Sequence, residues 1–232
     1  MFPIRDTIRS RSFPIITLLL IAVNALVFFF ELSLSPASLE RFVYSFGLVP
    51  ARLNLGNPFS FYPFLTHMFL HGGWLHFLSN MWTLFIFGDN VEDRMGSGGY
   101  LLFYLLGGFV AGGLQTFFSP GSNIPSIGAS GAIAAVLGAY FLFFPRARVI
   151  TFIPLFFLPW FVEISAFVYL GFWFVSQLFS GVLSLSTASG AQMGGVAWWA
   201  HVGGFLFGLI IALPALFRRP RRTAYPDEFF PW

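Results

Sequence analysis

The sequence predicts an all-α membrane protein: a bundle of six transmembrane helices with a long outer loop between the first and second. Three observations carry that prediction: the composition, six apolar stretches, and the placement of the arginines. Of 232 residues, 57% are hydrophobic, 21% aromatic and only 9% charged, whereas a soluble domain has roughly a quarter charged residues. The chain has no cysteine, which excludes disulfides, thiolate catalysis and cysteine-ligated metal centres. Its formal charge of +3 is small and scattered, so no continuous basic surface for nucleic acid is expected.

Apolar stretches near the ~20 residues that cross a bilayer fall at about 15–31, 74–88, 100–118, 129–145, 161–182 and 197–217. The first follows Arg5, Arg9 and Arg11 as a signal peptide would, yet no convincing small-residue cleavage site succeeds it, so it reads as a span. The second and fourth are short and begin in polar or glycine-rich sequence, "HGGWLHFLSN" and "IGASG". Such backbone is tolerated at membrane depth only around a protein-lined or water-filled cavity. A cavity is therefore expected. The segment "VITFIPLFFLPW", with two prolines, is expected to lie against or dip into the bilayer before the fifth span. No internal repeat or low-complexity linker divides the chain, which reads as one domain over 1–232 with short tails at about 1–14 and 218–232.

Six spans place both termini on one side, and Arg5, Arg9, Arg11, Arg94, Arg146, Arg148, Arg218, Arg219, Arg221 and Arg222 all fall there. Only Arg41 and Arg52 fall opposite. By the positive-inside rule both termini, the "GDNVEDRMGSGG" loop and the "PRAR" turn are cytoplasmic. The stretch from about Leu32 to Phe64 is then the outer loop.

Counting ~1.5 Å per helical residue from the cytoplasmic ends puts Ser130 and His201 about 22–25 Å up, His76 at about 20 Å and Asn80 at about 14 Å. Small residues predict which helices approach one another. Ser130, Ala134 and Gly138 form one smooth stripe on the fourth span and Gly131, Ala135 and Ala139 a second. His201, Gly204 and Gly208 share a face of the sixth. Packing these faces together brings Ser130 beside His201, while His76 and Asn80 share a face of the second span.

Each residue also has a plainer role to weigh. Taken alone, Ser130 is first a helix cap, and His201 an interhelical hydrogen-bonding group. Four polar side chains at one depth have no such joint explanation, and ionisable groups in a bilayer are functional candidates by default. His67 and His71, four apart, suggest a metal, but Gly72 and Gly73 interrupt the helix and no carboxylate joins at ligand spacing, so no metal is expected. Glu163, Asn24, Gln115 and Gln177 read as interhelical hydrogen-bonding or boundary residues. "GASGA" does not fit the G-x-S-x-G nucleophile elbow of soluble hydrolases.

The pieces "HGGWLHFLSNMW", "GDNVEDRMGSGG", "GASGA" and "AHVGGFLFG", in this order and on this six-span layout, resemble the rhomboid intramembrane serine proteases. The resemblance covers nearly the whole chain. It implies a rhomboid-like bundle in which Ser130 is the nucleophile and His201 its base, without a carboxylate. His76 and Asn80 then stabilise the oxyanion together with backbone N–H groups near Ser130, among them that of Ala129. Gly128 matches the glycine of the serine motif, Gly131, Gly204 and Gly208 support the helix contacts, and Glu92 and Arg94 match a structural cytoplasmic loop. Two positions depart from the pattern. Tyr62-Pro63 stands where many members have Trp-Arg, and Ala134 where some carry an aromatic against the base, so His201 must be oriented by other neighbours.

The expected function is an intramembrane serine endopeptidase cutting single-span membrane proteins near the outer interface, without cofactor or nucleic-acid partner, in a bacterial cytoplasmic membrane. A catalytically silent relative that binds membrane clients would lack a dyad residue, and both are present. A channel would need a polar track across the membrane, and below Asn80 the sequence is apolar.

Overall fold

The computed structural model describes residues 2–155, 158–186 and 196–214. Strand β1 (Phe2–Asp6) leads to helix α1 (Ile15–Ser33), after which come α2 (Pro36–Phe46), the single turn α3 (Pro63–Thr66) and several 3-10 turns. Helices α4 (Trp74–Met95), α5 (Ser97–Phe118) and α6 (Ser130–Phe143) follow, then β2 (Arg148–Leu155), β3 (Leu158–Ser165), α7 (Ala166–Ser186) and α8 (Trp198–Ala212). Among the described residues, α1, α5 and α7 are long and apolar enough to cross a membrane. Helices α6 and α8 are apolar but have 14 and 15 residues, about 21 and 22 Å at the helical rise, short of a ~30 Å hydrocarbon core.

Helix α6 is the centre of the molecule, every residue from Gly131 to Tyr140 being buried. A helix apolar all round must be enclosed by others, and α4, α5, α7 and α8 surround it. The closest neighbour is α8. A Cβ on Gly204 or Gly208 would come within 2.0 Å of the Gly131 or Ala135 carbonyl oxygen, and one on Gly138 within 2.1 Å of that of Phe205. The two backbones touch where the smooth stripes meet, as small residues permit.

Two expectations are corrected. The "GDNVEDRMGSGG" segment is mostly helix: α4 runs to Met95, turns at Gly96 with φ 73°, and α5 starts at Ser97. The reason is Glu92, whose carboxylate accepts from Ile16 N (3.0 Å), Thr17 N (2.8 Å), Thr17 Oγ1 (2.9 Å) and Ser97 Oγ (2.7 Å). It fills the unmet donors at the start of α1, where a negative charge also suits the helix dipole.

The fold is also not all-α. Strands β1, β2 and β3 form an antiparallel sheet in that order, β2 and β3 pairing from Arg148 opposite Ser165 to Leu155 opposite Leu158. β-branched and aromatic residues favour this hairpin, and Pro154 and Pro159 disfavour helix. The apolar stretch expected at about 161–182 therefore becomes helical only at Ala166, and the N-terminal tail supplies an edge strand. The other tail, from about 218 with Arg218, Arg219, Arg221 and Arg222, lies outside the described residues, as does the end of the sixth stretch.

Candidate active site

The approach to Ser130 is pinned before the helix starts. Ser126 exchanges backbone hydrogen bonds with Leu48 (2.8 and 3.0 Å), and Gly128 N donates to the His67 carbonyl (2.9 Å). Gly128 has φ 121°, a conformation that glycine adopts at little cost. Ala129 occupies the cap position and no side chain caps α6. The hydroxyl of Ser130 is therefore not spent on capping; its Oγ lies 2.8 Å from His201 Nε2.

His201 sits in the first turn of α8, where Ala197 and Trp198 enter the helix. Its Nδ1 lies 2.7 Å from Gln177 Oε1 on α7. The Trp173 ring is 5.8 Å away at 37°, and the Trp198 ring stands edge-on at 6.3 Å. These groups occupy the role left open by Ala134. Gln177 reads from the sequence as an interhelical hydrogen-bonding or boundary residue; it has no motif, and its depth relative to His201 is the sequence signal for this contact.

Helix α4 supplies the polar groups on another side. Gly72 N donates to His76 Nδ1 over 3.4 Å, which leaves the ring proton on Nε2. A methyl built on Gly128 would lie 2.6 Å from His76 Nε2 and 3.6 Å from Asn80 Nδ2. Both nitrogens thus face the loop that presents Ser130, and a side chain at 128 would close the space between. Asn80 is 7% exposed and its Nδ2 has no hydrogen-bond partner among the described residues. A buried donor without an acceptor is costly. An oxygen carrying negative charge beside Ser130 would satisfy it.

The structure thus brings Gly128, Ala129, Ser130, His201, His76 and Asn80 together. Gly204 and Gly208 instead serve the α6–α8 contact, while Gly131 faces both that contact and Ala111 of α5, 2.7 Å from its virtual Cβ. His67 Nδ1 is 2.8 Å from the Pro63 carbonyl. His71 N donates to the Glu31 carboxylate at 3.1 Å. Burial pushes both imidazoles down to about 4, so they are neutral bases. Among the described residues no three potential ligands converge. Glu163 pairs with Arg148 across the hairpin at 3.3 Å. Asn24 bonds its own helix at the Leu20 carbonyl (2.8 Å), not a neighbouring one, whereas Gln115 joins two helices by accepting from Ala200 N (3.3 Å). At the Tyr62-Pro63 departure, Tyr62 Oη donates to the Ser45 carbonyl and Arg52 Nη1 to that of Tyr44, each at 2.5 Å. The loop is anchored by these groups.

A rhomboid-domain family model matches residues 58–218. The chain is 38% identical over 128 residues to the rhomboid protease GluP of Bacillus subtilis, covering 54% of this chain and 24% of that protein. It is 28% identical over 130 residues to the putative rhomboid protease YdcA of the same organism, covering 56% and 62%. Rhomboid-like protein 11, chloroplastic, of Arabidopsis thaliana is 40% identical over 74 residues, covering 32% and 26%. The chain thus spans from about a quarter to three fifths of the length of these relatives.

Proposed function

This chain belongs to the rhomboid family of integral membrane proteins, and on that premise we propose that it is an intramembrane serine endopeptidase using Ser130 and His201 as its dyad. The observation that carries the reading is the 2.8 Å contact of Ser130 Oγ with His201 Nε2 across the α6–α8 crossing. A serine hydroxyl becomes nucleophilic when an adjacent base takes its proton. His201 Nε2 accepts that proton as Oγ attacks the peptide carbonyl. The oxyanion is met by His76 Nε2–H, Asn80 Nδ2–H and the backbone amides around Ala129, donors in place before charge develops. His201 then protonates the departing amine. Water, deprotonated by the same nitrogen, releases the acyl group from Ser130.

The proposed topology has α1, α4, α5, α6, α7 and α8 as six spans of one domain, with both termini cytoplasmic. Two pairings support it. Strand β1, before α1, pairs with β2, after α6; the α1–α4 segment pairs with the α5–α6 connection through Leu48 and Ser126. Alternating crossings put each pair on one side. The dyad then lies toward the outer side, where water can enter and where a single-span substrate can unwind to expose its carbonyls. A bacterial cytoplasmic membrane fits the arginine distribution. Purified protein in liposomes should cleave a single-span substrate, and Ser130→Ala should remove that cleavage without loss of fold. Undiminished cleavage by Ser130→Ala would end the assignment.

A further inference from the structure

A dyad lacks the carboxylate that in a triad holds the base in one tautomer. The contacts around His201 contain a neutral substitute. Ser176 Oγ donates to the Trp173 carbonyl (2.6 Å), so its lone pairs face outward. Gln177 Nε2 donates to that oxygen (3.1 Å). This settles the amide orientation chemically, because only the nitrogen of an amide can donate. Oε1 is then the atom turned to His201 Nδ1, at 2.7 Å. A carbonyl oxygen can only accept, so the Nδ1 must carry hydrogen. In a neutral imidazole Nε2 is consequently the bare nitrogen, and it is the one 2.8 Å from Ser130 Oγ. The bonds run in one direction, from the Ser130 hydroxyl through His201 and Gln177 to Ser176 and the Trp173 carbonyl.

We propose that Gln177, held by Ser176, is the positioning residue that fixes His201 as the Nδ1–H tautomer with Nε2 facing Ser130. The proposal rests on the protease reading for its consequence in rate, but not for the tautomer itself. Gln177 is 8% exposed, so water does not readily replace its acceptor. It meets His201 at Nδ1, not at the Nε2 that faces Ser130. As a neutral group it orients the imidazolium without neutralising it, so its removal costs less than loss of a triad aspartate.

The test combines a spectroscopic and a kinetic readout. Protein labelled with 15N-histidine in nanodiscs, with the His201 signals assigned by their loss in His201→Ala, should show Nδ1 protonated and Nε2 bare at a pH where the ring is neutral. Gln177→Met keeps the approximate volume and removes the acceptor; it should mix the two tautomers and lower kcat about tenfold, the size of one buried hydrogen bond, with KM unchanged. Gln177→Glu, which retains acceptor oxygens, should restore the Nδ1–H signature. Ser176→Ala, freeing the amide to rotate, should give a smaller loss in kcat. A wild-type His201 protonated on Nε2 overturns the proposal without needing any variant to fold. So does Gln177→Met with wild-type kcat and wild-type tautomer. If the wild type cleaves no substrate yet shows the Nδ1–H tautomer and its loss in Gln177→Met, the protease reading falls and the positioning role stands.

Discussion

The two ends of α6 both gather polar side chains inside an apolar bundle, and they do so in opposite ways. At the C-terminal end, Tyr140 Oη (2.5 Å) and Asn90 Nδ2 (2.9 Å) donate to Oδ2 of the Asp6 carboxyl group, brought in by β1. Asn90 Oδ1, an acceptor, is left there without a partner among the described residues. At the N-terminal end Asn80 Nδ2, a donor, is left without a partner among the described residues, beside a serine whose hydroxyl is aimed at an imidazole. An anion forming near Tyr140 would find its hydroxyl already committed to Asp6 and a spare acceptor in Asn90 Oδ1; one forming near Ser130 would meet donors. Buried polarity alone therefore does not identify a reactive site. What distinguishes the two ends is a spare donor set beside a serine–imidazole contact.

That contrast is broken most sharply by removing the dyad. His201→Ala should lower cleavage of a single-span substrate by about 10⁴–10⁶-fold, the range known for serine hydrolases, with the thermal midpoint little changed. Full activity in that variant would reduce the N-terminal end to the same structural status as the other. Next, His76→Ala should cost about 10²–10³ in kcat, the range for one oxyanion donor, and Asn80→Ala less, because His76 approaches Gly128 more closely. Wild-type kcat in both folded variants would remove α4 from the site.

Gly204→Ala probes the contact that brings the ends of the dyad together. Its new methyl would press on the Gly131 carbonyl, so the α6–α8 crossing must shift at a cost of about 1–3 kcal/mol. The unfolding midpoint and the rate of Ser130 acylation should fall together; loss of neither would mean that the backbones have room to spare.

The smallest effect on activity belongs to the other end. Burial, with the nearby Asp89 charge adding to it against the Tyr140 hydrogen bond, pushes Asp6 from 3.8 to about 8. A carboxyl raised on folding contributes stability below its unfolded value, and that contribution is lost as pH rises toward the folded value. The wild type should therefore lose thermal stability between about pH 4 and pH 8 relative to Asp6→Asn, while kcat differs less than about twofold between them. A flat difference in midpoint across that range would show that Asp6 is not buried as a carboxylic acid.

Much of this arrangement was legible in the residues. Counting helical rise put Ser130 and His201 level, and the spacing of Gly131, Gly204 and Gly208 marked the faces that meet. The sheet was not legible, because the mostly apolar run over 152–162 has the hydropathy of a span and is apolar on both faces, so it shows no period of two. The helical course through Glu92 was hidden for the opposite reason. Its charges read as a loop, whereas the carboxylate is drawn in by the free N–H groups of Ile16 and Thr17. Gln177 carries no motif, only a depth that matches His201; its meaning depends on a partner 24 residues later in the chain, and that partnership exists only once α7 and α8 lie side by side.

The central claim is that His201 activates Ser130, and a fluorophosphonate tests it without needing to know any substrate. After reaction in liposomes and proteolytic digestion, mass spectrometry should locate the adduct on Ser130 in the wild type, and the adduct should be lost in His201→Ala. An adduct on another residue, or one on Ser130 that forms equally fast without His201, would contradict it.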